Sequence, residues 1–350
     1  MNEYAGLFEE LHIVVPFSKK INDEQMGNLF IYYAQSSHKI WQKLKLFFKS
    51  KDIAKKIKPD VLTVQNPAEL GVMGLLLARV YNIPLVVQVH TDVFSPWYRH
   101  SFFTDRIRYW LALLIIPRAS RTRVVSDRIK KSIVTRGLLP AEKITVLPIY
   151  TDISKFLNTI SDIQTEELFG QHSLKMIAVG RFVDKEKNFS MLIEVMKELI
   201  KTNPEAVLVI VGDGLDKDSY KRQVTRYKLE KNVILEPWRN DLPSFLKSFD
   251  LFVMPSNYEG WGRVVIEAMA SGLPILMTDV GVAGEIVGHD REGIVVPVQD
   301  KKALLRAIKD LYNNRGKLER MGEAAKNKVI GLNPKTKKEY LELYKKSLDI

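Results

Sequence analysis

Two glutamates with seven residues between them, Glu259 and Glu267, enclose Gly260, Trp261, Gly262 and Arg263 in the stretch NYEGWGRVVIEAMASGLPILMTD. A carboxylate accepts two hydrogen bonds at once, which suits adjacent hydroxyls, and a nucleotide sugar carries such pairs on both its ribose and its hexose. Gly260 and Gly262 let the backbone approach a ligand closely. The helix that opens at Arg263 turns free N–H groups and a positive dipole end towards a phosphate. The plain alternative is a capping glutamate followed by an incidental helical one. Upstream, VGRFVDKEKNFSMLIEVM sets Arg181 and Lys187 on either side of another loop that leads into a helix. A guanidinium fork and an ammonium point charge can both fold over a diphosphate. Isolated loop cations are ordinarily only solvated, but two phosphate-competent loops in one half of the chain argue for a site.

These loops need elements to hold them. Short β-branched runs alternate with stretches of helical period: LHIVVP, DVLTVQ, PLVVQVH, RTRVVS and ITVLPI in the first half, then KMIAVG, AVLVIVGDG, NVILEPW, LFVMPS, PILMTD and GIVVPV in the second. Near-continuous apolar strands separated by amphipathic helices specify parallel sheets covered on both faces, hence an α/β protein with two Rossmann-like domains. The boundary is expected between Asp152 and Lys175, where ITVLPIYTD gives way to polar NTISDIQTEELFGQHS. This assigns residues 1–155 to a first domain, 156–332 to a second, and 333–350 to a C-terminal helix packing back on the first. Asn257 to Gly262 then form a loop at the carboxyl end of LFVMPS, where open α/β sheets bind ligands. EYAGLFEE reads as a helix end entering LHIVVP with no strand before it; either the first domain is abbreviated or the chain lacks its true beginning.

Composition narrows the function classes. The 350 residues include no cysteine, which excludes a disulfide framework and thiolate metal sites and suits a reducing cytoplasm. The longest apolar runs, such as LALLIIP from Leu111, fall short of the roughly 18 residues a spanning helix needs. The net charge of +12 is uneven: residues 1–160 hold 23 Lys/Arg against 13 Asp/Glu, and the remainder 30 against 28. A basic first half suggests an anionic partner such as lipid headgroups or a phosphorylated acceptor, against the plain reading of a solvated lysine-rich surface. Nucleic acid is set aside because no binding module accompanies the charge. HKIWQKLKLFFKSKDIAKKIK from His38 mixes Lys39, Lys43, Lys45, Lys49, Lys55, Lys56 and Lys58 with Trp41, Leu44, Phe47 and Phe48. SPWYRHSFFTDRIRYWLALLIIPR adds Arg99, Arg106 and Arg108 among aromatics. Both stretches suit the headgroup region of an anionic membrane, with ordinary sheet-packing helices as the alternative.

The second half resembles the retaining, nucleotide-sugar-dependent glycosyltransferases of the GT-B fold, the group 1 or family 4 type, whose two Rossmann-like domains face each other across a cleft. EGWGRVVIE followed by AMASGLPI carries the resemblance, together with Gly180, Arg181 and Lys187, the VGDG from Val211 to Gly214 and the SNYEGWG from Ser256 to Gly262, in the family's order over some 120 residues. In the first half, PDVLTVQNP and IPLVVQVHTD are similar to the family's acceptor-side domain. The resemblance implies that Glu259 contacts the donor sugar, Glu267 the ribose and Arg181 with Lys187 the diphosphate. It also implies that His90 faces the reacting sugar and that Ser126 begins a helix. Three departures stand out: the opening strand with its glycine-rich loop is not visible, Ile149 and Tyr150 replace an Asn-Gly, and Asn188 follows Lys187 where glycine is common.

The expected reaction is transfer of a glycosyl group from a UDP- or GDP-sugar to a hydroxyl of a glycan or lipid-linked acceptor, with retention and without a metal, in cell-surface polysaccharide or glycolipid synthesis. Glu259, His90, Arg181 and Lys187 are the catalytic candidates. Gly180, Gly260, Trp261, Gly262, Arg263 and Glu267 complete the donor site. Asp216 and Asp218 form a DxD that reads as a solvated first helical turn. The place expected is the cytoplasm, at the inner face of the cell membrane. The rival readings are a non-catalytic nucleotide-sugar-binding relative and a GT-B epimerase.

Overall fold

A computed structural model describes residues 2–16, 22–34, 39–161, 163–332 and 334–348. His38, where the basic stretch begins, and Asn333, Asp349 and Ile350 of the expected last segment lie outside the described residues.

The second half is one six-stranded parallel sheet: β8 (Leu174–Val179), β9 (Ala206–Val211), β10 (Val233–Glu236), β11 (Leu251–Met254), β12 (Ile275–Thr278) and β13 (Gly293–Val296). Their order in space is β10-β9-β8-β11-β12-β13, so the winding reverses between β8 and β11. Residues Ala206 to Val211 are all buried, as a strand covered by helices on both faces must be. At about 1.5–3 kcal/mol per buried aliphatic side chain, these strands supply the main drive for this half. Helices Phe189–Leu199 and Lys301–Asn313 pack on one another over one face. Helices Arg263–Ala270 and Arg315–Ile330 pack together as well.

The first half is split. A four-stranded parallel sheet runs β4-β5-β6-β7, with β4 (Leu62–Val64), β5 (Leu85–Val89), β6 (Arg121–Val124) and β7 (Ile144–Val146). A separate three-stranded sheet runs β1-β3-β2, made of β1 (Leu11–Val15), β2 (Glu24–Met26) and β3 (Leu29–Tyr33). Among the described residues, only Asn2–Ala5 of EYAGLFEE and its neighbours is helical, and β1 is the first strand. The hairpin β2-β3, turned at Gly27 and Asn28, is not legible in the sequence, because the three residues of β2, Glu24, Gln25 and Met26, are too few to show an apolar alternation.

The two halves share one apolar cluster that reaches from Val87 and Val124 to Val265 and Met277. Helix Lys337–Lys346 packs Tyr340 and Tyr344 against Val86 and Leu147. Buried Arg123 of β6 donates to Tyr340 Oη and Leu147 O, both at 2.9 Å, and to Gln88 Oε1 at 2.7 Å. Its guanidinium also lies over the Tyr344 ring, 5.3 Å from the centroid.

Candidate active site

The reversal between β8 and β11 is where an open α/β sheet forms its ligand crevice. The loops that leave the carboxyl ends of these two strands carry the residues the sequence singled out. After β8 come Gly180 and Arg181, then the turn Asp184–Lys187. After β11 come Ser256, Asn257, Glu259 and Gly260, and Gly262 starts helix Arg263–Ala270 at φ 86°, a left-handed conformation that favours glycine.

The loops are tied to one another. Asn257 N–H donates to Glu186 O at 2.8 Å, and its side-chain amide donates to Lys185 O at 3.0 Å. Lys187 Nζ pairs with Glu259 Oε1, which also accepts from Ser256 Oγ at 2.9 Å. Both charged side chains are mostly out of water, so each holds the other in place. Arg181 is far more open, at 71% exposure, and forks onto both carboxylate oxygens of Glu186 at 2.9 Å. Glu267 is buried one turn inside the helix, where Arg263 Nε donates to its Oε1 at 2.9 Å. Burial pushes its carboxyl above the usual range, and Arg263 opposes the shift.

His90 stands at the end of β5 in the other half. Its Nε2–H donates to Gln65 Oε1 at 3.0 Å, and burial with the positive charge of Arg123 lowers its pKa to about 4. The imidazole is therefore neutral near pH 7, with Nδ1 left as an acceptor. The two halves meet here through backbone: a Cβ at Gly260 would lie 1.8 Å from His90 O. Tyr98 and Tyr258 pack edge to face across the same seam at 5.2 Å. Lys185 reaches buried Asp105 at 3.3 Å, and Arg128 bonds Asp279 at 2.5 Å and Ala283 O at 2.8 Å. Beside His90 lies a cavity of about 210 Å³ lined by Gln65, Asn66, Glu69, Thr91, Tyr98 and Arg108.

The fold thus gathers Glu259, Lys187, Gly180, Arg181, Gly260, Gly262, Arg263 and Glu267 around one crevice, with His90 across the seam. Trp261, expected in the donor site, is buried in the core. Asp216 precedes helix Lys217–Arg226 without capping it through its side chain; its carboxylate accepts from Asp184 N–H at 2.7 Å, a structural role. Ser126 caps helix Asp127–Val134 by accepting from Ile129 N–H. Among the described residues, no group of three His, Asp or Glu side chains could hold a metal. Sequence reasoning missed Gln65 and Asn257, whose partners lie in other loops, and Glu186, which pairs with Arg181 within its own loop. Only Glu186 left a signal, as a carboxylate beside Lys187.

A doubly wound sheet with two anion-competent loops at its winding reversal, facing a second parallel sheet across a seam, is the architecture of a GT-B sugar-transfer enzyme. Residues 160–328 match the family model of glycosyl transferases group 1, and residues 5–155 match that of glycosyltransferase family 4. Between them the matches span nearly the whole chain, which belongs to the group 1 glycosyltransferases. The UDP-Gal:alpha-D-GlcNAc-diphosphoundecaprenol alpha-1,3-galactosyltransferase of Escherichia coli is 29% identical over 79% of this chain and 72% of that protein. The alpha-D-kanosaminyltransferase of Streptomyces kanamyceticus is 27% identical over 71% and 67%. Among solved structures, sucrose-phosphate synthase from Thermosynechococcus elongatus superposes with a TM-score of 0.79 at 20% identity, covering 96% of this chain and 88% of that one. Anabaena HepE in complex with UDP-glucose superposes with a TM-score of 0.71 at 21% identity, covering 92% and 85%. The chain is therefore a glycosyltransferase.

Proposed function

We propose that the chain transfers a sugar from a UDP- or GDP-sugar to a hydroxyl of a lipid-linked or glycan acceptor, with retention of configuration and without a metal. The observation that carries this reading is the joining of Lys187, Glu259 and the N-terminus of helix Arg263–Ala270 at the winding reversal, with His90 against Gly260. Glu267 takes the ribose hydroxyls, displacing the Arg263 contact. Arg181, Lys187 and the helix N–H groups hold the diphosphate and stabilise the charge that develops as it leaves, which is commonly the largest catalytic contribution. Glu259 and His90 face the sugar, the first as a hydroxyl acceptor and the second through its neutral imidazole. The acceptor oxygen attacks the anomeric carbon from the face the diphosphate leaves, the bond to the diphosphate oxygen breaks, and the acceptor proton passes to the departing diphosphate.

The cavity beside His90 is the acceptor side. A lipid-linked acceptor is favoured by the E. coli relative and by a Campylobacter jejuni relative, 26% identical, whose names both specify diphosphoundecaprenol-linked substrates. Residues 1–155 then form the acceptor domain and 156–332 the donor domain, working at the cytoplasmic face of the membrane.

Calorimetry with UDP-, GDP- and ADP-sugars in EDTA tests the donor site. One base series should bind, and Glu267→Ala should weaken that binding about tenfold or more, the loss of a charge-assisted hydrogen-bond pair. Unchanged affinity in the variant would remove the ribose role from Glu267. The anomeric configuration of the product, read by NMR against that of the donor, decides retention.

A further inference from the structure

Three neighbouring helices of the first half have outer faces that are apolar where water-facing helices are ordinarily polar. Helix Glu69–Tyr81 lies on β4 and β5, flanked by Lys39–Ile57 and Phe103–Ile115. Phe103, Ile107, Trp110 and Leu114 fall on one stripe of the last helix and all are exposed, Phe103 by 75% and Trp110 by 61%. The opposite side of that helix is already buried through Ala112 and Ile115, so the outer stripe is a second apolar face. Leu76 and Val80 continue it on the middle helix, and Trp41, 65% exposed, with Leu44 and Phe48 on the first. A patch of this breadth marks a binding surface.

The charge around the patch is predominantly positive. Helix Lys39–Ile57 carries seven lysines against one aspartate, and Arg79, Arg106 and Arg118 stand exposed on or next to the other two helices. Two of the acids nearby are already paired: Glu69 bonds Arg108 at 3.1 Å, and buried Asp105 holds Arg108 and Lys185, both at 3.3 Å. Aromatic and aliphatic side chains rimmed by lysine and arginine match an anionic lipid interface, where rings enter the headgroup boundary and bases meet phosphates. No helix among the described residues is long and apolar enough to cross a membrane, so contact through these helices is peripheral.

We propose that the outer face of helices Lys39–Ile57, Glu69–Tyr81 and Phe103–Ile115 docks on an anionic bilayer. Helix Phe103–Ile115 links that face to the chemistry, since its inner side contributes Arg108 to the cavity beside His90. Docking would set that cavity next to the headgroups. The proposal rests on the helix faces and stands apart from the donor reading.

Co-sedimentation with phosphatidylcholine vesicles, with and without phosphatidylglycerol, tests it. The protein should bind the phosphatidylglycerol vesicles and not the neutral ones, and added salt should weaken the binding. Phe103→Ser with Trp110→Ser should lower the partition coefficient about tenfold or more. Lys55→Gln with Lys56→Gln should lower it about 25-fold, at roughly fivefold per surface cation. The melting curve and UDP-sugar binding of each variant serve as folding controls and should be unchanged. Absence of binding to phosphatidylglycerol vesicles, or equal binding by the variants, overturns the proposal. A dimer in gel filtration that Phe103→Ser with Trp110→Ser disperses, without vesicle binding, would assign the face to a second copy of the chain.

Discussion

At the scale of the residue, the site is a set of matched ion pairs: Lys187 with Glu259, Arg181 with Glu186, and Arg263 with Glu267. An anionic donor competes with Glu186 for exposed Arg181, while Lys187 keeps its shielded bond to Glu259 and meets the diphosphate with its remaining N–H donors. Glu259→Gln keeps the shape, removes the charge and leaves Lys187 short of its partner. Sugar transfer should fall about 100-fold or more in steady-state assays, while nucleotide binding changes little. His90 gives a second, independent signal. Its pKa falls from the ordinary 6.5 to about 4 in the folded protein. Between those values the unfolded chain binds a proton that the folded one does not, so stability drops as pH falls through that window, by at most about 3 kcal/mol. Denaturant unfolding from neutral to acid pH should show this loss, and His90→Gln should flatten that part of the profile.

At the scale of the element, the helix ends do much of the positioning. Helix Arg263–Ala270 starts on a left-handed glycine with no side-chain cap, so its first N–H groups, apart from that of Val265, which bonds Gly262 O at 2.8 Å, stay available to a ligand. Helix Lys337–Lys346 does the reverse. Thr336 and Glu339 close a capping box, and the helix then clasps Arg123 through Tyr340 and Tyr344. Arg123 has no carboxylate partner among the described residues, so aromatic faces, a phenol oxygen and backbone carbonyls stabilise this buried cation. Thr336→Ala should cost about 1 kcal/mol and lower the melting temperature by roughly 2–4 °C, read by calorimetric scanning. All eleven apolar runs read from the sequence are strands in the fold, because burial on both faces writes itself into composition. The hairpin of β2 and β3 was not legible, since its register depends on a turn and on neighbours rather than on apolar period.

At the scale of the whole molecule, the two halves are held by backbone contact at Gly260 and by Lys185–Asp105 and Arg128–Asp279. Gly260→Ala places a methyl group against the His90 carbonyl, a backbone atom that cannot rotate aside. Each half should keep its secondary structure by circular dichroism, yet the radius of gyration in X-ray scattering should rise and transfer should be lost. A variant that scattered like the wild type and retained turnover would show that the seam is not needed closed.

The sequence by itself determined the α/β class, the succession of parallel strands, the loops that carry the phosphate-competent residues and the absence of a disulfide framework. These are local or compositional properties, set by burial periodicity, by glycine and by charge within short windows. Only the tertiary structure decided which carboxylate each cation meets, that the imidazole of His90 is held neutral, that Gly260 must be a glycine because His90 lies against it, and that the stripe from Phe103 to Leu114 faces outward. Each depends on groups distant in sequence brought within a few ångströms, and no spacing along the chain encodes such a meeting.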